Sequence, residues 1–377
     1  MSPANLKPVS LARKLLSFNT INPPGHEREC AQYLGHLLAG AGLQTQFFEF
    51  AEKRTTLIAR LEGSGHKPPI CFTGHLDTVP LGAAPWNRDP FGGDLDGDRL
   101  YGRGSSDMKG GVAAMVVMAL RLAKMKNRKA GITFVFTAGE ETCCEGAQHV
   151  AGLDNVLGRA GAMIVGEPTS NAPWVAHKGS VRFAIKTRGV TAHASMPERG
   201  DNAIHKAAEA IMKLRHLDFG VAPHPLLGGP TLNIGTISGG KNINSVPDEA
   251  TIGIDIRTIP GQHEEVIRQK LQAGLGGEVE IERLGDARSV ETDSQHEWVR
   301  EVFDVMERLL KQRPRPAGAP YFTDASALKP ACGDPPTVIL GPGEPEMAHR
   351  TDELCYVSKL DAAVEAYVEI AKRWCGV

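Results

Sequence analysis

No sign of charge dominates this sequence: its 377 residues carry a formal net charge of −2 and no long basic or acidic run. That removes the broad positive footprint needed to bind a phosphate backbone, so no nucleic-acid partner is expected. Apolar runs of membrane-spanning length are also missing. The opening MSPANLKPVSLARKLLSFNTINPPG has positive charges without the continuous apolar core of a signal peptide. A cytoplasmic protein with no membrane partner is expected. The seven cysteines are odd in number and none has CxxC spacing, and the neighbours Cys143 and Cys144 could be joined only by straining the backbone. They read as reduced, small apolar packing residues. Repeats of roughly 20–50 residues and low-complexity tracts are absent as well. What is present is a 41% share of hydrophobic residues, on a chain long enough for two compact domains.

Apolar residues at helical spacing mark Leu6–Phe18 and Glu27–Leu43. Three strand-like segments follow: LQTQFFEF, TTLIARLEG and PPICFTGHLD. A loop rich in Gly, Asp and Pro covers Thr78–Ser106, and a long apolar helix runs from Lys109 to about Lys126. GITFVFTAGEE is a short buried strand ending in acids, and AGAMIVGEPT repeats that pattern. This alternation predicts an α/β fold, a mostly parallel sheet flanked by helices. After WVAHKG the order becomes strand, helix, strand, strand, helix, strand, a ferredoxin-like βαββαβ arrangement. The helix Gln295–Gln312, the buried strand PTVILGPG and the helix Ser358–Trp374 complete the chain. The expected organisation is a catalytic domain over 1–178 and 291–377, interrupted by a smaller inserted domain over 179–290.

Strands of a parallel sheet present their C-terminal ends to a crevice where ligands bind. Five such segments carry acids or histidines: CFTGHLDTVP with His75 and Asp77, GRGSSDMKGG with Asp107, TAGEET with Glu140 and Glu141, IVGEPT with Glu167, and GPGEPEMAHRTDE with His349. A lone strand-end acid is usually a helix cap or a solvated loop residue. Five segments brought to one sheet edge are harder to explain that way. His75 and Asp77, two apart at a strand end, can share a side, so that the carboxylate accepts the ring N–H of a metal-bound imidazole. Two histidines with several carboxylates fit zinc or a similar divalent ion. The adjacent Glu140 and Glu141 repel one another and would point to opposite faces of an extended chain, so a purely structural pair gains nothing from adjacency.

These segments, GHLDTVP, GRGSSDMKGG, GEE, GEPT, the TAHAS of the inserted domain and AHRTDE, resemble the M20 metallopeptidases in the branch of acetylornithine deacetylase, succinyl-diaminopimelate desuccinylase and glutamate carboxypeptidase. The match runs from about residue 70 to residue 353 in the family's order. The resemblance implies a zinc-peptidase-like catalytic domain and an inserted lid and dimerisation domain. It implies two Zn²⁺ ions, replaceable by Co²⁺, bridged by Asp107, with His75 and Glu167 completing one site and Glu141 and His349 the other. It makes Glu140 the general base and expects a cis Asp107–Met108 peptide. A lid histidine from the partner subunit of a homodimer stabilises the oxyanion in the family, and His193 matches it. Arg257 in DIRTIP and Asn244 in NINSVP match positions that hold a substrate carboxylate, with Lys178 and Thr323 as further candidates. The TDAS loop and the Cys143–Cys144 pair depart from the named deacetylase and desuccinylase.

The expected activity is hydrolysis of the amide of an N-acyl amino acid. A metallo-carboxypeptidase or dipeptidase acting on short peptides is the alternative. A non-catalytic metal-dependent binding protein has no need to keep Glu140 beside the ligands, and a lidless aminopeptidase would lack the βαββαβ insertion.

Overall fold

The computed structural model describes residues 6–377. The chain divides into two compact units. The first runs to Ala176 and resumes over Glu291–Ala317 and Thr323–Val377; the second comprises His177–Val290 and Gly318–Phe322. The short return Gly318–Phe322, kept with the catalytic domain in the sequence reading, clusters with the second unit, where the Lys178 N–H donates to the Ala319 carbonyl at 3.0 Å.

The first unit is built on a six-stranded sheet in the order Gln44–Ala51, Arg54–Leu61, Ile132–Thr137, Ile70–His75, Ala162–Val165, Thr337–Ile339. The first two pairings are antiparallel and the other three parallel. The strands that carry His75, the TAGEET turn and Glu167 are buried along their whole length, which is why they read as continuous apolar runs. Helix Lys109–Leu122 is apolar on every side and buried except at Arg121, packing against Pro8–Leu16 and the closing helix Val357–Cys375. It is shorter than the sequence pattern suggests, because the following residues to Arg128 are turn and loop. Tyr367 of the closing helix is fully buried and donates its hydroxyl to the Leu340 carbonyl at 2.6 Å, fixing that helix to the end of the last strand.

The second unit holds Gly179–Arg188, Ala203–Leu214, Thr231–Gly239, Glu249–Thr258, Glu264–Leu275 and Val279–Ala287 in the order βαββαβ. Its four-stranded antiparallel sheet runs Thr231–Gly239, Glu249–Thr258, Gly179–Arg188, Val279–Ala287. Strict alternation of buried residues along Glu249–Thr258 puts Ala250, Ile252, Ile254 and Ile256 on one face, against Ala203, Ala207 and Leu271 of the two helices. The Asn202 side chain caps the first of these helices, accepting from the N–H groups of Ile204 and His205. The unit thus has a hydrophobic core of its own.

Two glycines set the spacing at the polar edge of the six-stranded sheet. A Cβ on Gly111 would lie 2.4 Å from the Gly166 carbonyl oxygen, so this glycine lets the buried helix come close beneath the strand end that bears Glu167. A Cβ on Gly341 would meet the carbonyl oxygens of Gly166 and Glu167 at 2.2 and 2.4 Å. Backbone cannot yield as a flexible side chain can. Gly341→Ala is therefore expected to cost about 1–3 kcal/mol by overpacking. A denaturant titration tests this; an unchanged midpoint would contradict the close approach.

Candidate metal centre and active site

The sheet's polar edge brings together every metal-ligand candidate from the sequence. Ile70–His75 ends on His75, whose Nε2 lies 3.0 Å from Oδ1 of Asp107 and 3.7 Å from Oε1 of Glu167. His349 approaches the same aspartate from the other side, its Nε2 being 3.4 Å from Asp107 Oδ2 and 3.2 Å from Glu141 Oε2. Asp107 thus faces a histidine–carboxylate pair with each oxygen. The Asp107–Met108 peptide is cis, as the resemblance implies. His349 has a φ of 63°, in the left-handed region, and its side chain is 55% exposed, whereas Glu167 and His75 are buried. The cluster is open on the His349 side.

The TAGEET turn is held by Asp77. Its Oδ1 accepts the Glu140 N–H and its Oδ2 the Glu141 N–H, both at 3.1 Å, and Oδ2 also accepts from the Asn22 side chain at 2.9 Å. The sequence reading gives the His75 ring N–H to this carboxylate. The nearer acceptor is the Asp77 main-chain carbonyl, 3.0 Å from Nδ1, with Oδ1 at 3.6 Å, because the carboxylate is already committed to the turn. Either acceptor leaves Nε2 free to face the cluster. Cys143 and Cys144 take consecutive left-handed conformations, φ 72° and 59°, and the Cys144 N–H returns to the Glu140 carbonyl. None of the cysteines among the described residues is in a disulfide.

Burial and mutual repulsion control the charges. Glu140 is pushed well above its ordinary pKa, first by burial and then by Glu167, with Glu141 and Asp324 adding to the effect. Burial likewise raises Glu141 and Glu167. For Asp107 burial works in the same direction, yet His349 and His75 outweigh it and hold the carboxyl below the usual range. Burial opposes a proton on His75, but Glu167, Asp107 and Asp77 raise its pKa well above normal. Hydrogen bonds to Asp107 and Glu141 push His349 up to about 10.

Asp324, which the sequence reading passed over within its quoted TDAS loop, is buried beside this cluster. It accepts from the Thr137 hydroxyl, leaves Oδ1 buried without a hydrogen-bond partner and is pushed up to about 6 by burial. Its signal was only an acid in a loop of unfamiliar pattern. The neighbouring Thr323 is fully buried, and its hydroxyl accepts the Ala325 N–H.

The remaining candidates belong to the second unit. His193 is exposed, with Nδ1 2.7 Å from the Ser195 hydroxyl, and pairs through its backbone with Ser245. Asn244 is exposed and accepts the Ala194 N–H on its main-chain carbonyl. Arg257 is ion-paired with Asp255 at 2.8 Å and lies over the Phe322 ring, while Lys178 donates to the Gly229 carbonyl at 2.6 Å.

The donor set fits a divalent cation. Ligand atoms of His75, Asp107 and Glu141 all lie within 4.8 Å of one another. An imidazole and two carboxylates this close together are donors of the kind that hold a divalent ion such as zinc. Glu141 Oε1 is buried with no hydrogen-bond partner, a costly state that a cation would relieve.

A buried carboxylate–histidine cluster at the strand ends of an α/β sheet, with a βαββαβ unit elsewhere in the same chain, is the build of a metal-dependent hydrolase. The sequence model of peptidase family M20/M25/M40 matches residues 71–373, and the chain belongs to this family. It is an amidohydrolase. The chain is 31% identical to a probable succinyl-diaminopimelate desuccinylase of Staphylococcus epidermidis, over 97% of each chain. It is 30% identical to an acetylornithine deacetylase of Vibrio cholerae, over 93% of this chain and 92% of that one. Among solved structures it is similar in fold to an M20 family metallo-carboxypeptidase from Sulfolobus solfataricus, with a TM-score of 0.81 and 18% identity over 99% of this chain and all of that one. No helix among the described residues is long and apolar enough to cross a membrane.

Histidines must be neutral and carboxylates ionised to ligate, and here His75, His349, Glu141 and Glu167 all hold protons more tightly than usual. Metal loading should therefore release protons, and affinity should rise with pH. Each proton displaced contributes roughly a factor of ten per pH unit. Zn²⁺ titrations between about pH 6 and about pH 8 should show at least this slope; a pH-independent dissociation constant would contradict the assignment of these groups as ligands.

Proposed function

We propose that this chain hydrolyses the amide bond of N-acyl amino acids, using two zinc ions that cobalt can replace. The observation that carries the reading is the division of Asp107, one oxygen toward His75 and Glu167 and the other toward His349 and Glu141, with Glu140 left outside both sets. Asp107 with His75 and Glu167 would hold one ion, and Asp107 with His349 and Glu141 the other. Two relatives of nearly equal identity carry names for two different acyl groups, succinyl and acetyl, so the proposed substrate is the class common to both.

Divalent ions held there would supply Lewis acidity toward the scissile carbonyl and make the attacking water more acidic. Glu140 removes the proton from that water as the oxygen attacks the carbonyl carbon. Burial raises the proton affinity of Glu140 above that of a solvated carboxylate, which favours its taking a proton from water. The same proton passes from Glu140 to the amide nitrogen as the C–N bond breaks, leaving a free acid and an amine. Asp77 keeps Glu140 and Glu141 in separate roles by fixing both backbone N–H groups.

The inserted domain, residues 179–290, acts in this reading as lid and dimerisation domain. His193 from the partner subunit donates to the oxyanion. Its edge strand Thr231–Gly239 exposes Ile237, and Ile243 beyond it is fully exposed, which supports a subunit contact there. Arg257 and Asn244 hold the substrate carboxylate, with Lys178 and Thr323 as further contacts. The reading places the homodimer in the cytoplasm.

A panel of N-acetyl and N-succinyl amino acids and dipeptides tests the activity by release of free amino acid. The acylated substrates are expected to turn over faster; preference for dipeptides would move the reading to a peptidase. Glu140→Ala should lower turnover by about a thousandfold or more while retaining metal, in keeping with loss of a general base. Normal turnover would remove Glu140 from that role.

A further inference from the structure

Arg103 and Glu353 form a buried ion pair next to the cluster, and neither side chain is a ligand candidate. Arg103 is 1% exposed and Glu353 fully buried, with Arg103 Nη1 donating to Glu353 Oε2 at 2.8 Å. The glutamate is saturated with donors. Oε2 also accepts the Gly104 N–H at 2.9 Å, and Oε1 accepts the N–H groups of Ser106 and Asp107 at 2.8 and 2.9 Å. Backbone N–H groups converging in this way form an anion-binding concavity, here filled by a carboxylate of the same chain.

The arginine extends the network to the other segments of the centre. Nη1 donates to the Arg350 carbonyl at 3.1 Å, one residue after His349, and Nη2 to the Pro80 carbonyl at 3.2 Å, on the segment that leaves His75 and Asp77. The guanidinium lies 5.1 Å from the centre of the Trp86 ring. Ser106 donates to the Leu354 carbonyl at 2.6 Å and so ties the same two loops a second time. One buried pair thus joins the loop ending in Asp107, the loop beginning at His349 and the exit from the His75 strand.

Buried ion pairs are often no better for stability than apolar side chains of the same volume. An arrangement that ends on the backbone N–H of the one aspartate facing both histidines calls for a positional explanation. We propose that Glu353, oriented by Arg103, is a positioning residue that holds Asp107 in register between the two metal sites and thereby sets the affinity for the metal. The inference rests on the reading of Asp107 as a metal ligand. Glu353 touches no substrate in this account; it acts through the Asp107 backbone.

The test is metal binding to folded protein. In Glu353→Gln an amide nitrogen, itself a donor, meets backbone and guanidinium donors, and Arg103 loses its counter-charge. Zn²⁺ titration of the metal-free variant should give a dissociation constant about 10–100-fold weaker than wild type, the range for groups that orient metal ligands. The Co²⁺-loaded variant should show a displaced visible absorption band. Excess metal should restore most of kcat with KM unchanged. If Glu353→Gln does not fold, Glu353→Asp keeps the charge but is too short to reach all three N–H groups, and the same weakening is expected of it. A purely structural pair predicts a lower melting temperature with wild-type metal affinity and an unaltered Co²⁺ spectrum; that result in either folded variant overturns the proposal. Wild-type protein that binds the metals but cleaves none of the acylated substrates would overturn the proposed activity, and the affinity comparison would still decide the role of Glu353.

Discussion

Crowding of negative charge organises the first unit. Asp107, Glu140, Glu141, Glu167 and Asp324 share a largely buried space, with His75 and His349 against them. In water such a group would disperse; here the strand ends and the close approaches at Gly111 and Gly341 forbid it. Burial and repulsion raise the proton affinity of Glu167, and the neighbouring carboxylates raise that of His75. A divalent cation held there would turn the same excess of acid into ligands.

Carboxylates also do the holding. Asp77 accepts the backbone N–H groups of Glu140 and Glu141, and Glu353 accepts those of Gly104, Ser106 and Asp107. In both cases an acid outside the proposed ligand set fixes the main chain of residues within or beside it. Backbone fixed at two points leaves a side chain few directions to take, which keeps acids that repel one another pointing inward.

Much of this was legible beforehand. His75, Glu140 and Glu167 each follow a run of buried strand residues, so their placement followed from the alternation of strand and helix together with the rule that parallel strand ends form crevices. The βαββαβ order was equally plain, because strands and amphipathic helices there differ in period. Less could be read about loops. Asp324 and Glu353 lay inside quoted motifs, but nothing in a linear pattern tells a buried acid that organises backbone from a solvated one. The acceptor for the His75 ring was misjudged for a related reason. Spacing brought Asp77 to the right place without revealing that its carboxylate had other obligations.

The interruption of the first unit has a consequence for how the molecule is made. Strand Thr337–Ile339 pairs with Ala162–Val165, but the whole of His177–Val290 lies between them in the chain. On a ribosome, His177–Val290 emerges as one stretch with its own hydrophobic interior, and it can fold while its predecessor still lacks an edge. His349 is translated later still. The nascent chain therefore cannot close the carboxylate–histidine cluster until His349 has been added, after the whole of His177–Val290.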